Sequence, residues 1–167
     1  MKNLILCGFM GSGKSTLAEL LSKEYRMLLV DTDREIEKNE GMSIKEIFSV
    51  KGEQYFRNLE TKLISELSQK SGMVISLGGG LAANPSNHKY LKEAGKVILL
   101  DCGIEETLRR IVSDSSRPLT AGGEDDIIAR YNFRKPIYES VADIIIDSSS
   151  SPDRTFTLAV TAIEELL

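Results

Sequence analysis

A glycine-rich segment near the start of the chain has the spacing of a phosphate-binding loop. It reads GFMGSGKST, from Gly8 to Thr16, and fits the pattern GxxxxGK[ST]. Glycines let backbone N–H groups turn towards a phosphate, and the N-terminus of the following helix adds a partial positive charge. In this pattern Lys14 reaches the β- and γ-phosphates, and the Ser15 hydroxyl binds Mg²⁺. The predicted nucleotide contacts in this loop are Gly11, Ser12, Gly13, Lys14, Ser15 and Thr16.

Two carboxylates follow the second apolar segment of the chain, in the run LLVDTD that ends at Asp33. Residues i and i+2 of a strand share a face, so we expect Asp31 and Asp33 to point the same way. Ligands of open parallel sheets bind at the carboxyl ends of the strands. One carboxylate would then serve Mg²⁺ through water, and the other a substrate hydroxyl. Either aspartate alone could instead cap a helix that starts at Arg34.

A third group of charged residues lies in the segment GEQYFRNLE. On a helix, Glu53, Arg57 and Glu60 fall at i, i+4 and i+7 and therefore share one face. A solvated row of salt bridges would give the same spacing, so the pattern leaves a binding role and a structural role open. Arg117 and Arg134 are two further arginines for which spacing alone indicates no role.

Two glycine-rich segments lack the lysine of a phosphate loop. VISLGGGLA, from Val74 to Ala82, has three consecutive glycines after an apolar run. SDSSRPLTAGGE, from Ser113 to Glu124, has neither a helical nor a strand period. A segment of the second kind is either a surface connection or a mobile lid over a site.

The elements that position these residues alternate between short apolar runs and helical segments. Continuous apolar runs are typical of parallel strands that are buried on both faces. Such strands with helical crossovers predict an open α/β sandwich. Helix starts are predicted by the capping box of Ser43 and Glu46, by Asn84 before Pro85, and by Ser151 before Pro152. The predicted strands are Asn3–Cys7, Met27–Asp31, Met73–Leu77, Lys96–Asp101 and Asp143–Asp147.

Composition limits the class of protein. The chain has 167 residues, which suits a single domain. Its net charge of −4 argues against nucleic acid or an anionic membrane as a partner. The apolar start runs into the phosphate loop without a cleavage-like site, so we expect a buried strand rather than a signal peptide. The chain carries no apolar run of about 18 residues, the length that predicts a membrane span.

The remaining signals favour an intracellular protein. Cys7 and Cys102 form no metal-spaced set, so we expect free thiols in a cytoplasmic protein, and a monomer. His88 has no ligand partner in sequence and is expected at the surface.

A GTPase switch would carry DxxG and NKxD motifs, and the chain has neither.

Taken in order, these motifs resemble those of the shikimate kinases over essentially the whole chain. The resemblance rests on GFMGSGKST, DTD, GEQYFRNLE, SLGGG, RPL and YNFRKPIY. It implies a P-loop NTPase-type three-layer sandwich with a five-stranded parallel sheet in the order 2-3-1-4-5, flanked by helices, and a lid loop. It also implies transfer of the γ-phosphoryl group of ATP, with Mg²⁺, to the 3-hydroxyl of shikimate. Residues 1–167 would form one kinase domain, with the phosphate loop at 8–16, the shikimate region at about 33–60 and the lid at about 113–124.

The resemblance also implies roles for the unassigned side chains of the second pocket. Asp33 would bind the shikimate hydroxyls and act as general base. Arg57 and Arg134 would hold the shikimate carboxylate, with Glu60 orienting Arg57. In the glycine turn, Gly79 and Gly80 would line the shikimate pocket, and Gly78 would serve the turn itself.

On the nucleotide side, the resemblance places Arg117 of the lid on the phosphates and Arg110 against adenine. Asp31 would reach Mg²⁺ through water, and Ser15 would bind it directly. The lid departs from the usual RPLL by reading RPLT, followed by an acidic stretch. We expect Asp125 and Asp126 of that stretch to form the first turn of the next helix, where negative charge is favourable.

Two alternatives remain open at this point. Another small-molecule P-loop kinase, acting on gluconate or a nucleoside monophosphate, would share the phosphate loop, and gluconate would also offer a carboxylate and hydroxyls. An ATP-binding module without enzymatic activity would leave the second pocket unexplained.

Overall fold

Five parallel strands form one sheet in the order β2-β3-β1-β4-β5. The computed structural model describes residues 2–114 and 122–166. All five predicted strands are confirmed, each differing by one residue at one end, and so is the predicted strand order. The strands are β1 Asn3–Gly8, β2 Leu28–Asp31, β3 Met73–Ser76, β4 Gly95–Asp101 and β5 Ile144–Asp147.

Eight α-helices lie within the described residues. Most of them lie in the crossover connections between successive parallel strands. A short 3-10 turn, Pro85–Asn87, precedes the fifth helix. The helices are α1 Lys14–Tyr25, α2 Thr32–Glu40, α3 Ile44–Lys51, α4 Glu53–Leu67, α5 His88–Ala94, α6 Ile104–Ser113, α7 Gly123–Val141 and α8 Pro152–Glu164.

Alternating side chains of the central strands fill two apolar cores, one on each face of the sheet. Leu4 and Leu6 of β1 pack in a cluster with residues of α1 and α8. Ile5 and Cys7 point the other way, into a cluster with residues of α4, α5 and α7. Because both faces are covered, the strands read as continuous apolar runs. The predicted three-layer sandwich is confirmed.

Side-chain caps explain where several helices begin. Ser43 and Glu46 form the predicted capping box at the start of α3, with Ser43 N–H donating to Glu46 at 2.7 Å. Ser151 caps α8, and Pro152 occupies its first turn, as predicted. Asn84 also caps as predicted, but it starts the 3-10 turn rather than an α-helix.

The prediction of two free thiols is confirmed, and His88 is less exposed than predicted. Cys7 and Cys102 are both free and buried. His88 is half-buried, and its Nε2 lies 2.8 Å from the Ala82 carbonyl oxygen. In the part of the chain that the structure describes, no helix has the length and apolarity needed to cross a bilayer.

Candidate active site

One cavity of about 670 Å³ opens at the carboxyl ends of β1, β2 and β3. The phosphate loop forms one wall, and the ends of β2 and β3 form another. The phosphate loop and the predicted second pocket, which are far apart in sequence, therefore line the same cavity. Its lining includes Lys14, Ser15, Thr16, Asp31, Asp33, Gly78, Gly79, Arg110 and Arg134.

The phosphate loop has the backbone that its glycines predict. Gly11 and Gly13 have φ values of 76° and 93°, in the left-handed region that favours glycine. Gly13 is also the N-cap of α1, so the helix begins at Lys14 with its N–H groups directed at the loop. The Lys14 ammonium donates to the carbonyl oxygens of Gly8 at 2.8 Å and Phe9 at 3.1 Å. These bonds hold the ammonium inside the loop.

The expectation that Asp31 and Asp33 share a strand face is wrong. The second strand ends at Asp31, whose Oδ1 accepts a hydrogen bond from Arg34 N–H at 3.1 Å and so caps α2. Asp33 lies in the first turn of that helix. Both side chains nevertheless line the cavity, because the helix starts at the strand end, beside the phosphate loop.

The half-buried Asp33 carboxylate has a raised pKa. Burial raises it most, and the neighbouring Asp31 carboxylate raises it further, while Lys14 and Arg57 lower it. A carboxylate with a raised pKa accepts a proton more readily than an ordinary aspartate. Asp33 lines the cavity within electrostatic range of Lys14 and Arg57, an environment that suits a general base.

Helix α4 brings Arg57 between two glutamates of very different exposure. Its guanidinium contacts Glu60 at 2.8 Å and Glu53 at 3.1 Å. The Glu53 side chain is 64% exposed, whereas that of Glu60 is 1% exposed, so the pair with Glu60 is not a solvated surface bridge. Burial raises the pKa of Glu60 to about 7, against the lowering effect of Arg57. The ion pair with the buried Glu60 therefore fixes the direction of the Arg57 guanidinium.

Each glycine of the triple-glycine turn makes room for one charged side chain. A Cβ at Gly78 would lie 3.0 Å from Asp33 Cγ, and one at Gly79 would lie 3.1 Å from an Arg134 nitrogen. A Cβ at Gly80 would lie 2.5 Å from Arg57 Cζ. None of the three glycines has a left-handed φ. Gly78 was predicted to serve the turn; the structure adds that a Cβ there would crowd the Asp33 carboxylate, so close approach rather than backbone conformation favours glycine at this position.

Tyr138 is a site residue that sequence reasoning missed. It lies one helical turn after Arg134 on α7, and its buried hydroxyl donates to the Gly79 carbonyl oxygen. Burial raises the pKa of this hydroxyl to about 12, so it remains a donor at any ordinary pH. The i, i+4 spacing of Arg134 and Tyr138 in RKPIY was the available signal.

Arg110 joins the phosphate loop to the segment after β5. Its guanidinium donates to the Gly11 carbonyl oxygen at 2.9 Å, to the Ser148 carbonyl oxygen at 2.6 Å and to Glu106 at 2.8 Å. It also lines a second cavity of about 530 Å³, together with Ser148–Pro152. This second cavity adjoins the phosphate loop and has room for a nucleotide base.

Only the two ends of the predicted lid lie within the described residues. Arg117 and most of the segment 113–124 lie outside the described residues. Asp125 and Asp126 are in the first turn of α7, as predicted. Among residues 2–114 and 122–166, no three His, Cys, Asp or Glu side chains form a group that could hold a metal ion.

A phosphate loop before α1, a parallel sheet with helices on both faces, and a cavity that contains this loop together with Asp33 and Arg134 are the features of a P-loop phosphotransferase for a small anionic acceptor. The chain matches the family model for shikimate kinase over residues 10–164. It belongs to the shikimate kinase family, whose members are ATP-dependent phosphotransferases acting on a hydroxyl of shikimate.

Relatives support the same assignment. The chain is 44% identical to a shikimate kinase of Caldicellulosiruptor bescii, over 84% of this chain and 83% of the relative. It is 45% identical to that of Persephonella marina, over 89% and 90%.

Solved structures agree. A shikimate kinase from Aquifex aeolicus superposes with a TM-score of 0.87 at 38% identity, over 97% of this chain and 96% of that chain. One from Acinetobacter baumannii, in complex with shikimate, gives 0.88 at 31% identity, over 99% and 93%. A sugar kinase from Janibacter that is 14% identical, with a TM-score of 0.65, shares the fold alone.

Proposed function

We propose that shikimate binds between α4, the triple-glycine turn and α7, and that its 3-hydroxyl receives the γ-phosphoryl group of ATP held on the phosphate loop. The products are shikimate 3-phosphate and ADP, on the route to chorismate and the aromatic amino acids. The observation that carries this proposal is the single cavity, which places the phosphate loop beside Asp33 and Arg134. Phosphoryl transfer depends mainly on such positioning and on charge stabilisation.

The shikimate carboxylate binds to Arg57 and Arg134. Both guanidinium groups face the glycine turn, which allows a small ring to approach the backbone there. Guanidinium groups bind carboxylates through two parallel charge-assisted hydrogen bonds, which fix orientation as well as affinity. Glu60 holds Arg57, and Tyr138 holds the turn, so the pocket is preorganised.

Asp33 orients the ring hydroxyls and accepts the proton of the 3-hydroxyl. Its raised pKa follows from burial and from the nearby Asp31 carboxylate. Lys14 neutralises charge on the transferring phosphoryl group from inside the phosphate loop. These two residues line the same cavity, so acceptor and donor meet there.

The residues present fit a magnesium ion. Mg²⁺ keeps several waters and binds proteins through one or two oxygen ligands together with substrate phosphates. Ser15 and Asp31 both line the cavity beside the phosphate loop and would hold the ion, Asp31 through water. There the ion would supply positive charge that offsets the charge of the nucleotide phosphates.

The adenine base occupies the second cavity beside Arg110. The three hydrogen bonds of the Arg110 guanidinium keep its plane fixed between the phosphate loop and Ser148. Arg117 of the lid would reach the phosphates, a role that the resemblance alone supports. The enzyme is further proposed to be a cytoplasmic monomer, and its net charge of −4 argues against a nucleic-acid partner.

The test is a coupled assay of ADP release with shikimate, gluconate and nucleoside monophosphates as acceptors. We expect saturable turnover with shikimate, dependent on Mg²⁺, and only background release with the others. Turnover on gluconate or a nucleotide that equals turnover on shikimate would overturn the proposal.

A further inference from the structure

A buried hydrogen-bond network joins α4 to the segment after the triple-glycine turn. Asn87, the last residue of the 3-10 turn, is fully buried. Its Nδ2 donates to the Leu81 carbonyl oxygen at 3.0 Å, and its Oδ1 accepts from the Thr61 hydroxyl at 2.8 Å. The Thr61 hydroxyl also lies 3.1 Å from the Arg57 carbonyl oxygen.

The two ends of this network adjoin the proposed substrate pocket. One end is Thr61, one turn after Arg57 on α4, and the other is Leu81, which directly follows Gly80. The Arg57 guanidinium lies so close to Gly80 that a single Cβ there would meet it. The separation between α4 and the glycine turn therefore decides where the guanidinium can lie.

A neighbouring bond supports the same separation. The imidazole of His88 lies 2.8 Å from the Ala82 carbonyl oxygen through Nε2. Since a carbonyl oxygen can only accept, Nε2 must carry the proton. Asn87 of the 3-10 turn and His88 at the start of α5 thus bind two successive carbonyl groups, those of Leu81 and Ala82, in the segment after the glycine turn.

We propose that Asn87 is a positioning residue for shikimate binding: its amide fixes the distance between Arg57 and the glycine turn. This inference rests on the proposed function, because it assumes that the shikimate carboxylate binds to Arg57. Asn87 does not line the cavity and acts only through Thr61 and Leu81. An amide suits the task because one group supplies both a donor and an acceptor in a fixed plane.

The chain offers a matched control in Asn3. This residue is also fully buried, and its Nδ2 donates to the carbonyl oxygens of Lys70 at 2.8 Å and Ala94 at 3.0 Å. Its Oδ1 accepts from Met73 N–H at 3.0 Å. Asn3 lies at the opposite end of the parallel sheet, where β1, β3 and β4 begin. Residue type and burial match those of Asn87, and both amides donate to backbone carbonyls, but Asn3 bonds only to backbone groups and lies away from the pocket.

The experiment measures dissociation constants for shikimate and for ATP separately, with thermal unfolding, in Asn87→Ala, Thr61→Val and Asn3→Ala. We expect Asn87→Ala and Thr61→Val to weaken shikimate binding by about threefold to tenfold, the range that one lost hydrogen bond gives, and to leave ATP binding unchanged. Asn3→Ala should lower the unfolding temperature and leave both dissociation constants unchanged. Thr61→Ser, which keeps the hydroxyl, should bind shikimate as the wild type does.

The outcomes separate the two proposals. Loss of stability in Asn87→Ala and Thr61→Val with wild-type shikimate binding would overturn the positioning role and leave the proposed function intact. Equal weakening of ATP and shikimate would also overturn it. If Asn87→Ala does not fold, the comparison of Thr61→Val with Thr61→Ser decides. A wild-type protein that does not phosphorylate shikimate would overturn the proposed function itself, and this inference with it.

Discussion

At the scale of single residues, the pocket is built from charged side chains placed against glycines. Asp33, Arg134 and Arg57 each face one of the three glycines of the turn. Close approach to the backbone confines each side chain, and the buried Glu60 fixes one of them further. A substitution that adds a single carbon should therefore disturb ligand binding more than folding.

Gly80→Ala is the most direct test of this arrangement. The added methyl group would displace the flexible guanidinium of Arg57 rather than backbone, and Gly80 has no left-handed φ that alanine would strain. We expect the unfolding temperature to stay near that of the wild type and shikimate affinity to fall about tenfold or more, the effect of a lost charged hydrogen bond. ATP affinity, titrated in parallel, is the internal control. Unchanged shikimate affinity would show that the turn does not confine Arg57.

Lys14→Ala tests the other wall of the cavity. The ammonium stabilises charge on the transferring phosphoryl group, and losing one such contact costs about 3–4 kcal/mol of transition-state stabilisation. Turnover should fall by a factor on the order of 10²–10³, while circular dichroism and the unfolding temperature remain those of a folded protein. A folded variant with near-normal turnover would contradict the phosphate-loop assignment.

Glu60 predicts a dependence of stability on pH. Its pKa is raised from 4.5 to about 7 in the folded chain. The folded state therefore binds more protons than the unfolded state between these values, and stability that is present below pH 4.5 is lost as pH rises through about 7.

The comparison of wild type with Glu60→Gln isolates this effect. From pH 5 to pH 8, the free energy of unfolding of the wild type should fall relative to that of the variant by about 2 kcal/mol. Urea unfolding at both pH values measures it. A difference between the two proteins that stays constant with pH would mean that Glu60 titrates normally.

At the scale of elements, α7 is attached at several points to the sheet and the loops that form the site. Tyr131 donates to the Asp101 carboxylate at the end of β4 at 2.8 Å, and Lys135 pairs with the same carboxylate at 3.0 Å. The Tyr131 ring also meets Phe9 of the phosphate loop edge to face. The helix that carries Arg134 is thereby tied to the phosphate loop.

Tyr131→Phe tests one of these attachments. It keeps the ring against Phe9 and removes only the hydrogen bond to Asp101, so the free energy of unfolding should fall by about 1 kcal/mol. Tyr90→Phe, which removes a hydroxyl from a half-buried ring of α5, is the control and should change it by less than about 0.5 kcal/mol. Equal effects in urea unfolding would show that the Asp101 bond does not stabilise α7.

A structural feature could be predicted from the sequence where its cause lies in residues that are close together along the chain. The five strands and the Ser43 and Ser151 caps follow from apolar runs and short-range side-chain bonds, and the structure confirms them. The helical position of Asp33 was missed, because Asp31 fits both a strand end and a helix cap. The contact of Tyr138 with Gly79 spans 59 positions in the chain, and only packing of α7 against the sheet creates it.

At the scale of the whole molecule, a single cavity contains the phosphate loop together with Asp33 and Arg134 of the proposed acceptor site. The phosphate loop belongs to the connection between β1 and α1, whereas the proposed acceptor site draws on α2, α4, the glycine turn and α7. Family membership identifies the reaction, and this arrangement explains how one chain brings both substrates together. Because the two proposed sites use different elements, we expect that a substitution in one of them can lower the affinity for its own ligand without changing the affinity for the other.

We propose that Arg57 and Arg134 together hold the shikimate carboxylate beside Asp33. Titrating shikimate and ATP separately into Arg57→Lys, Arg134→Lys and Asp33→Asn tests it most directly. Lysine keeps the charge but cannot form the paired hydrogen bonds, so each arginine variant should bind shikimate about tenfold or more weakly and ATP normally. Asp33→Asn should lose turnover more than shikimate affinity, because it keeps the shape and loses the proton acceptor. Wild-type shikimate affinity in both arginine variants would contradict the account.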